Sequence, residues 1–447
     1  MTTILRTAGA ARWALVLLIT LSGCSLKEQF FGESGPPPLP GQRIAILQSA
    51  RTIDPSPEIE NVAVRLPRPQ RNPDWAQAGG APDHAMHHLD LPETVVEAWR
   101  SSVGSGSSSS TFLYNSPIMA DGRIYAIDAE GNLTALEAAT GRRLWQVDTT
   151  PDGEGSAIVA GGVAASGGRV YVASGYAEVI AYDGATGKQI WRQSIPAPMR
   201  AAPTISAERV FVITVENQLI ALAAEDGRRL WTHAGVGETA GLLGGASAAV
   251  DGNVVLAPFS SGDLFALRLD TGRVVWSESL TAARRIDAVS GLANIRARPV
   301  IDRGMVYAMS NAGRFAAISL RTGQRLWDVE IAGTESPWVA GDYIYVLSNN
   351  NELICLTRAD RKVRWVTRLE RYENPEKQRD PISWSGPVLA GDRLIVVGSN
   401  SQALAISPYT GDLLGLTRLP GKARVAPIVA DGTLYILTDD ATMIAYR

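Results

Sequence analysis

Three of the four histidines in this chain fall in one stretch, His84-Ala-Met-His87-His88. On a helix, His84 and His88 would share a face and could hold zinc. The hydrolase form of that pattern places a Glu directly after the first His. Here Ala85 stands there, and the stretch belongs to an irregular lead-in. A polar loop is therefore the expectation, and no metal is assigned. Cys24 and Cys355 are the only thiols. Cys355 reads as a small buried apolar residue. The sequence has no Gly-x-Ser-x-Gly elbow, no phosphate loop and no convincing carboxylate pair, so no catalytic residue and no cofactor are assigned.

The residues that recur are architectural. One phrase returns seven times: a strand, a glycine hairpin, and a second strand closing on Thr-Gly and Trp. Its clearest copy runs from Ala181 through Asp183 and Thr186-Gly187 to Trp191. The tryptophans Trp145, Trp191, Trp231, Trp276, Trp327 and Trp365 are spaced by 44 residues on average. The sixth copy reads Asp360-Arg361 in place of Thr-Gly, and the seventh has Gly415 in place of Trp. Ahead of each end lies a strand opened by Pro or Gly, as at Pro117, Pro299, Pro387 and Pro427. Runs such as Arg169–Ser174 and Tyr343–Ser348 are β-branched and aromatic between turn residues. Asp-Gly and Thr-Gly tolerate the positive φ of tight hairpins. Four short strands repeated at this period form a propeller blade.

The count of units fixes the fold class: an all-β, eight-bladed β-propeller of four-stranded antiparallel blades. An eighth unit starts at Pro427 and supplies only three strands before Arg447. Its fourth strand is expected near Trp99, which precedes Trp145 by one period of 46 residues. That N-terminal strand would close the ring and remove an open sheet edge. The tryptophans are expected to pack between neighbouring blades, because their position is fixed in every unit. Ser101 to Ser110, rich in Ser and Gly, reads as a flexible connection.

Length and charge set the remaining bounds. The chain has 447 residues, 45% hydrophobic content and a formal net charge of −3. Both signs are spread along it and no basic block stands out, which argues against nucleic acid. Residues 1–23 read as a signal peptide, with Arg6 and Arg12 ahead of the apolar run Trp13–Leu21. Leu21-Ser22-Gly23-Cys24 resembles the lipobox of bacterial lipoproteins, so Cys24 is expected to carry lipid. Residues 24–74, with Pro36-Pro37-Pro38 and Pro55, Pro57, Pro67 and Pro69, read as an extended tether. The propeller is expected over residues 75–447.

The repeats, the Asp74-Trp75-Ala-Gln-Ala-Gly79-Gly80 entry and the lipobox together resemble the BamB family. These are lipoprotein propellers of the machinery that assembles outer-membrane β-barrels. The resemblance implies a non-catalytic scaffold, tethered on the periplasmic face of the outer membrane. It implies partners: the periplasmic domains of BamA, other subunits of the complex and unfolded outer-membrane proteins. It also implies two contact elements. One is an Arg ahead of the third unit's inner strand, matched by Arg200 with Met199 as its apolar neighbour. The other is an acidic pair in a long loop, replaced here by Asn294 and Arg296. Asp287 lies in the same loop. The stretch Ser277–Arg298 is longer than a hairpin requires, and long loops on a rigid scaffold commonly carry binding.

Two other functions fit the same repeat. A pyrroloquinoline-quinone dehydrogenase shares the Thr-Gly…Trp phrase. It needs an oxygen-ligated metal, cations for the quinone carboxylates and a catalytic Asp, and many members carry adjacent cysteines that this chain lacks. A carbohydrate- or peptide-binding propeller would keep the ring and the anchor and change only the ligand.

Overall fold

The computed structural model describes residues 53–59, 61–155, 161–238, 242–281 and 293–447. Their strands form eight four-stranded antiparallel sheets and one two-stranded hairpin, Tyr372–Asn374 with Arg379–Pro381. Seven of the eight sheets are built from strands consecutive in the chain. The eighth takes Ile428–Ala430, Thr433–Leu437 and Thr442–Tyr446 and adds Glu97–Ser102 as its outer strand. Trp99 lies opposite Ala445 in that pairing. The ring therefore closes with the strand that the repeat spacing requires.

Blade 1 shows why the sequence folds this way. The inner strand Ile118–Ala120 turns at Asp121-Gly122, both at positive φ, into Arg123–Ile127. Asn132–Glu137 and Arg143–Asp148 complete the sheet. Both faces of the two middle strands are buried, because each blade is covered by its neighbours. The outermost strand alternates between exposed and partly covered residues. The inner strands of successive blades approach one another around a central hub.

Each outer-strand Trp locks its blade to the next. Trp145 pairs with Ala135 across its own sheet, where a small residue leaves room for the indole. Its ring tilts against Tyr125 at 5.8 Å and lies over the Thr186-Gly187 turn of blade 2. Its Nε1 donates to the Gly184 carbonyl at 3.1 Å. Gly187 is required twice over: its φ is 73°, and a Cβ there would stand 2.8 Å from the indole. Such a residue cannot be anything but Gly without strain. Trp99, Trp191, Trp231, Trp276 and Trp365 dock on the next blade's Gly in the same way. In blade 6 the turn glycine is replaced by Arg361, which adopts the positive φ itself, at 57°. Cys355 is the residue opposite Trp365, the place where other blades have Ala. Burial pushes its thiol well above the usual range.

The inner strands leave a free edge, and one segment covers it. Residues 72–89 pass beneath the hub and meet each blade in turn. Asn72 donates to the Val429 carbonyl of blade 8 at 2.7 Å. The Trp75 backbone pairs with Met119 of blade 1, and the Ala76 carbonyl accepts from Ala165 of blade 2. Gln77 accepts from Ile205 of blade 3, and the Pro82 and Asp83 carbonyls accept from Val250 and Ile301 of blades 4 and 5. Trp338 of blade 6 donates to His87, and Leu89 bonds Leu389 of blade 7. Backbone groups that would be left open at the hub are thereby satisfied.

Two stretches read as loose are packed. From Ile53 onward the proline-rich segment lies along the blades: Ser56 exchanges hydrogen bonds with Val363 at 2.8 and 3.0 Å. Val64 is buried in the core. The Ser101–Ser110 connection is also ordered, contrary to its composition. Ser101 and Ser102 belong to the closing strand, and Val103 is fully buried. Gly106 sits so close to Asp439 and Asp440 that a Cβ would come within 2.6 Å of their backbone. There the small residues allow close approach rather than flexibility.

Candidate functional site

The hub opens on the face opposite the floor segment. The repeats align its lining by position. Three residues ahead of the inner-strand Pro stand Tyr114, Arg200, Arg296, Thr334, Trp384 and Arg424 in blades 1, 3, 5, 6, 7 and 8. Arg200, Arg296 and Arg424 thus occupy equivalent places around one mouth. Directly ahead of the inner strand, seven blades carry Ser, Gly or Ala, among them Ser116, Ala202 and Ser336. Blade 5 carries Arg298. Arg200, Arg296, Arg298, Glu335 and Arg424 line one small cavity of about 70 Å³. A second cavity of about 280 Å³ adjoins it at blades 3 to 5.

The charges in the hub are unevenly matched. Arg424 pairs with Asp439 at 2.6 Å. The Arg296 guanidinium lies 5.8 Å from the Tyr114 ring centre, a cation–π arrangement. The Arg298 backbone donates to Ser336 Oγ at 3.1 Å, but its side-chain Nε is enclosed and has no hydrogen-bond partner among the described residues. Burial, with Arg296 nearby, lowers the Arg298 guanidinium below its ordinary value. Among the described residues, Glu335 is the one acid lining this cavity, and it accepts from the Gly386 backbone at 3.1 Å. Burial raises its carboxyl, against the pull of Arg296 and Arg298. No ion pair within 4.0 Å joins Glu335 to either arginine among the described residues.

The four loop residues singled out from the sequence fall into two groups. Arg200 is exposed at the mouth, and Arg296 is half-buried beside it. Met199 and Asn294 are buried. Met199 packs in the core between blades 2 and 3, which removes it from any contact surface. With its amide oriented to satisfy both ends, Asn294 donates to the Ser260 carbonyl and accepts from Leu242 N, both at 2.7 Å. It pins two loops together. Cys24 and Asp287 lie outside the described residues.

The histidine stretch is not a helix. His84 and His87 take positive φ of 63° and 53°. His84 Nδ1 bonds the Pro299 carbonyl and His88 Nδ1 the Pro67 carbonyl, each at 2.8 Å. His88 Nε2 accepts from Asp392 N at 3.1 Å. Both rings fasten the floor. Burial, reinforced by Arg298, lowers His84 to about 3, so it is neutral. Sequence reasoning missed this floor, and it missed Arg298 and Glu335. The signal for Arg298 is present once the repeats are aligned: one long cation in a column of small residues.

This architecture defines a quinoprotein-like eight-bladed propeller, in which indoles dock on the turns of the following blade and a covered hub opens on one face. The chain belongs to the family described as outer membrane protein assembly factor BamB, whose profile matches residues 91–158, 151–367 and 371–447. Among curated relatives, the BamB protein of Alkalilimnicola ehrlichii is 32% identical over 350 residues, 78% of this chain and 87% of the relative. That of Escherichia coli K12 is 28% identical over 358 residues, 78% and 88% of the two chains. The crystal structure of BamB from Moraxella catarrhalis matches with a TM-score of 0.68 at 18% identity, covering 79% of this chain and all of that one. A quinohemoprotein alcohol dehydrogenase from Comamonas testosteroni matches with 0.66 at 16% identity, over 84% and 81%. At such identities the structural matches speak for the fold alone.

Proposed function

We propose that the chain is a non-catalytic scaffold lipoprotein of the outer-membrane β-barrel assembly complex. Lipid on Cys24 holds it at the periplasmic face of the outer membrane, since a lipid anchor without a spanning segment leaves the domain in water. The mouth of the hub docks the periplasmic domains of BamA, within reach of other subunits and of unfolded outer-membrane proteins. The observation that carries this reading is the exposed Arg200 beside Arg296 on a rigid face, in a chain of the assembly-factor family. With Asn294 turned inward, Arg200 and Arg296 offer cations there beside the exposed acids Glu216 and Glu238, and the two arginines are read as meeting acidic groups of the partner.

Pull-down of the tagged lipoprotein from solubilised membranes should bring BamA with it. Arg200→Glu combined with Arg296→Glu should raise the dissociation constant about tenfold or more, as loss of an interface anchor does. Equal recovery of BamA with the double variant would remove this face from the contact. Dye-linked alcohol oxidation restored by quinone and calcium would replace the scaffold reading with the dehydrogenase.

A further inference from the structure

Among the described residues, the hub carries more positive charge than its own acids answer. Arg424 is matched by Asp439, but Arg296 and Arg298 have no ion-pair partner within 4.0 Å among the described residues. Both line a cavity whose other walls include Tyr114, Arg200 and Arg424 beside small residues such as Ser116, Ala202 and Ser336. Glu335, the one acid lining it among the described residues, accepts from the Gly386 amide and not from a guanidinium. Arg298 Nε is enclosed, with no acceptor for its proton among the described residues. A buried donor without an acceptor costs about 1–3 kcal/mol, and more when charged. The neighbouring Arg296 adds like-charge repulsion to the cost of burying Arg298. Seven blades keep the Arg298 position small, so the arginine is not demanded by packing of the repeat.

We propose that the hub is a binding site for one small oxyanion, a carboxylate or phosphate group, held between Arg298 and Arg296. Guanidinium groups recognise such oxygens through short, charge-assisted hydrogen bonds. A cavity of about 70 Å³ beside the two arginines admits a compact group. The floor segment shuts the far end, so the anion enters from the mouth. Glu335 opposes it, which makes the site selective for a ligand that can neutralise both arginines. Neither the site nor its test depends on the docking partner.

The test uses the full mature chain alone, in detergent, by titration calorimetry at constant chloride and ionic strength. Inorganic phosphate and succinate are titrated separately, so that the preferred oxyanion class is read directly. The expected result is saturable one-to-one binding of at least one probe, with a dissociation constant near or below about 1 mM. Arg298→Met should weaken it about tenfold or more, and Arg296→Gln about three- to tenfold, through lost charge-assisted bonds. Glu335→Gln should tighten it about threefold by removing an opposing charge. Arg268→Gln, a change at an exposed pair with Asp270, should leave it unchanged. If Arg298→Met does not fold, Arg296→Gln and Glu335→Gln still decide. Absence of saturable binding for both probes overturns the proposal. So does binding that none of the three hub variants alters.

Discussion

The seam between blades 1 and 2 and the seam between blades 7 and 8 are built from the same repeat, yet only the first has its lock. In the first, Trp145 lies over Gly187 and donates to Gly184. In the second, Gly415 stands at the Trp position, opposite Ala405. A Cβ on Gly415 would meet nothing within 4 Å. The strand Leu413–Arg418 is exposed throughout, with Leu413, Leu414 and Leu416 at 58%, 55% and 49%. Topology supplies the reason. A docking Trp needs the turn between the third and fourth strands of the next blade. Blade 8 has no such turn, because its fourth strand, Glu97–Ser102, comes from the other end of the domain. The Trp missing from the seventh repeat follows from how the ring closes. Across this seam, hydrogen bonds from the connecting loop take the place of the indole: Ser385 Oγ donates to the Arg424 carbonyl at 2.8 Å and Ala423 N to the Gly398 carbonyl at 3.2 Å.

The largest expected effect tests that contrast directly. Trp191→Ala should destabilise the domain by about 3–5 kcal/mol, as removal of a buried indole does. Leu414→Ala, on the unlocked seam, should change stability by no more than about 0.5 kcal/mol. Denaturant midpoints measured on both variants compare them. Equal losses would mean that the indole locks do not distinguish the two seams.

The same contrast shows what could be read from the chain. The blade count, the closing strand and the packing role of the tryptophans were legible because each leaves a mark at fixed spacing. Arg200 and Arg296 both lie at the mouth of the hub. Met199 and Asn294 were misjudged because a loop sequence does not show which way a side chain turns. Met199 is drawn into the apolar gap between blades, and Asn294 turns in to bond Ser260 and Leu242. The floor was illegible for a different reason. Residues 72–89 have no periodicity of their own; they borrow their order from the inner-strand edges above them. The Ser-rich stretch after Trp99 was misleading because small residues serve tight packing as readily as mobility.

The floor offers a second, smaller test, separate from the seams. His84 has a folded pKa of about 3 against an ordinary value of 6.5. The unfolded chain therefore binds a proton first as pH falls. The stability contributed by neutral His84 is complete above about pH 6.5 and is lost as pH drops toward 3, by about 1.4 kcal/mol per pH unit. His84→Gln should flatten the acid side of the stability profile by that slope. The seam variant Trp191→Ala should shift the profile down without changing its slope. If His84→Gln and its parent lose stability in parallel between pH 6 and 4, the ring does not remain neutral on the floor.

The smallest effects carry the sharpest contrast, because one substitution should change sign between seams. Gly187→Ala places a methyl 2.8 Å from the Trp145 ring at a φ of 73°. Either the turn or the indole must move, and the domain should lose about 2 kcal/mol or more. Gly415→Ala adds the same methyl to open space in an ordinary strand. Its only consequence is a less flexible unfolded chain, so the domain should gain about 0.5–1 kcal/mol. Paired thermal melts of the two variants measure the difference. A loss at Gly415 comparable to that at Gly187 would show that something presses on the seventh outer strand. Blade 8 would then have to supply a docking surface there without the turn that the other blades use.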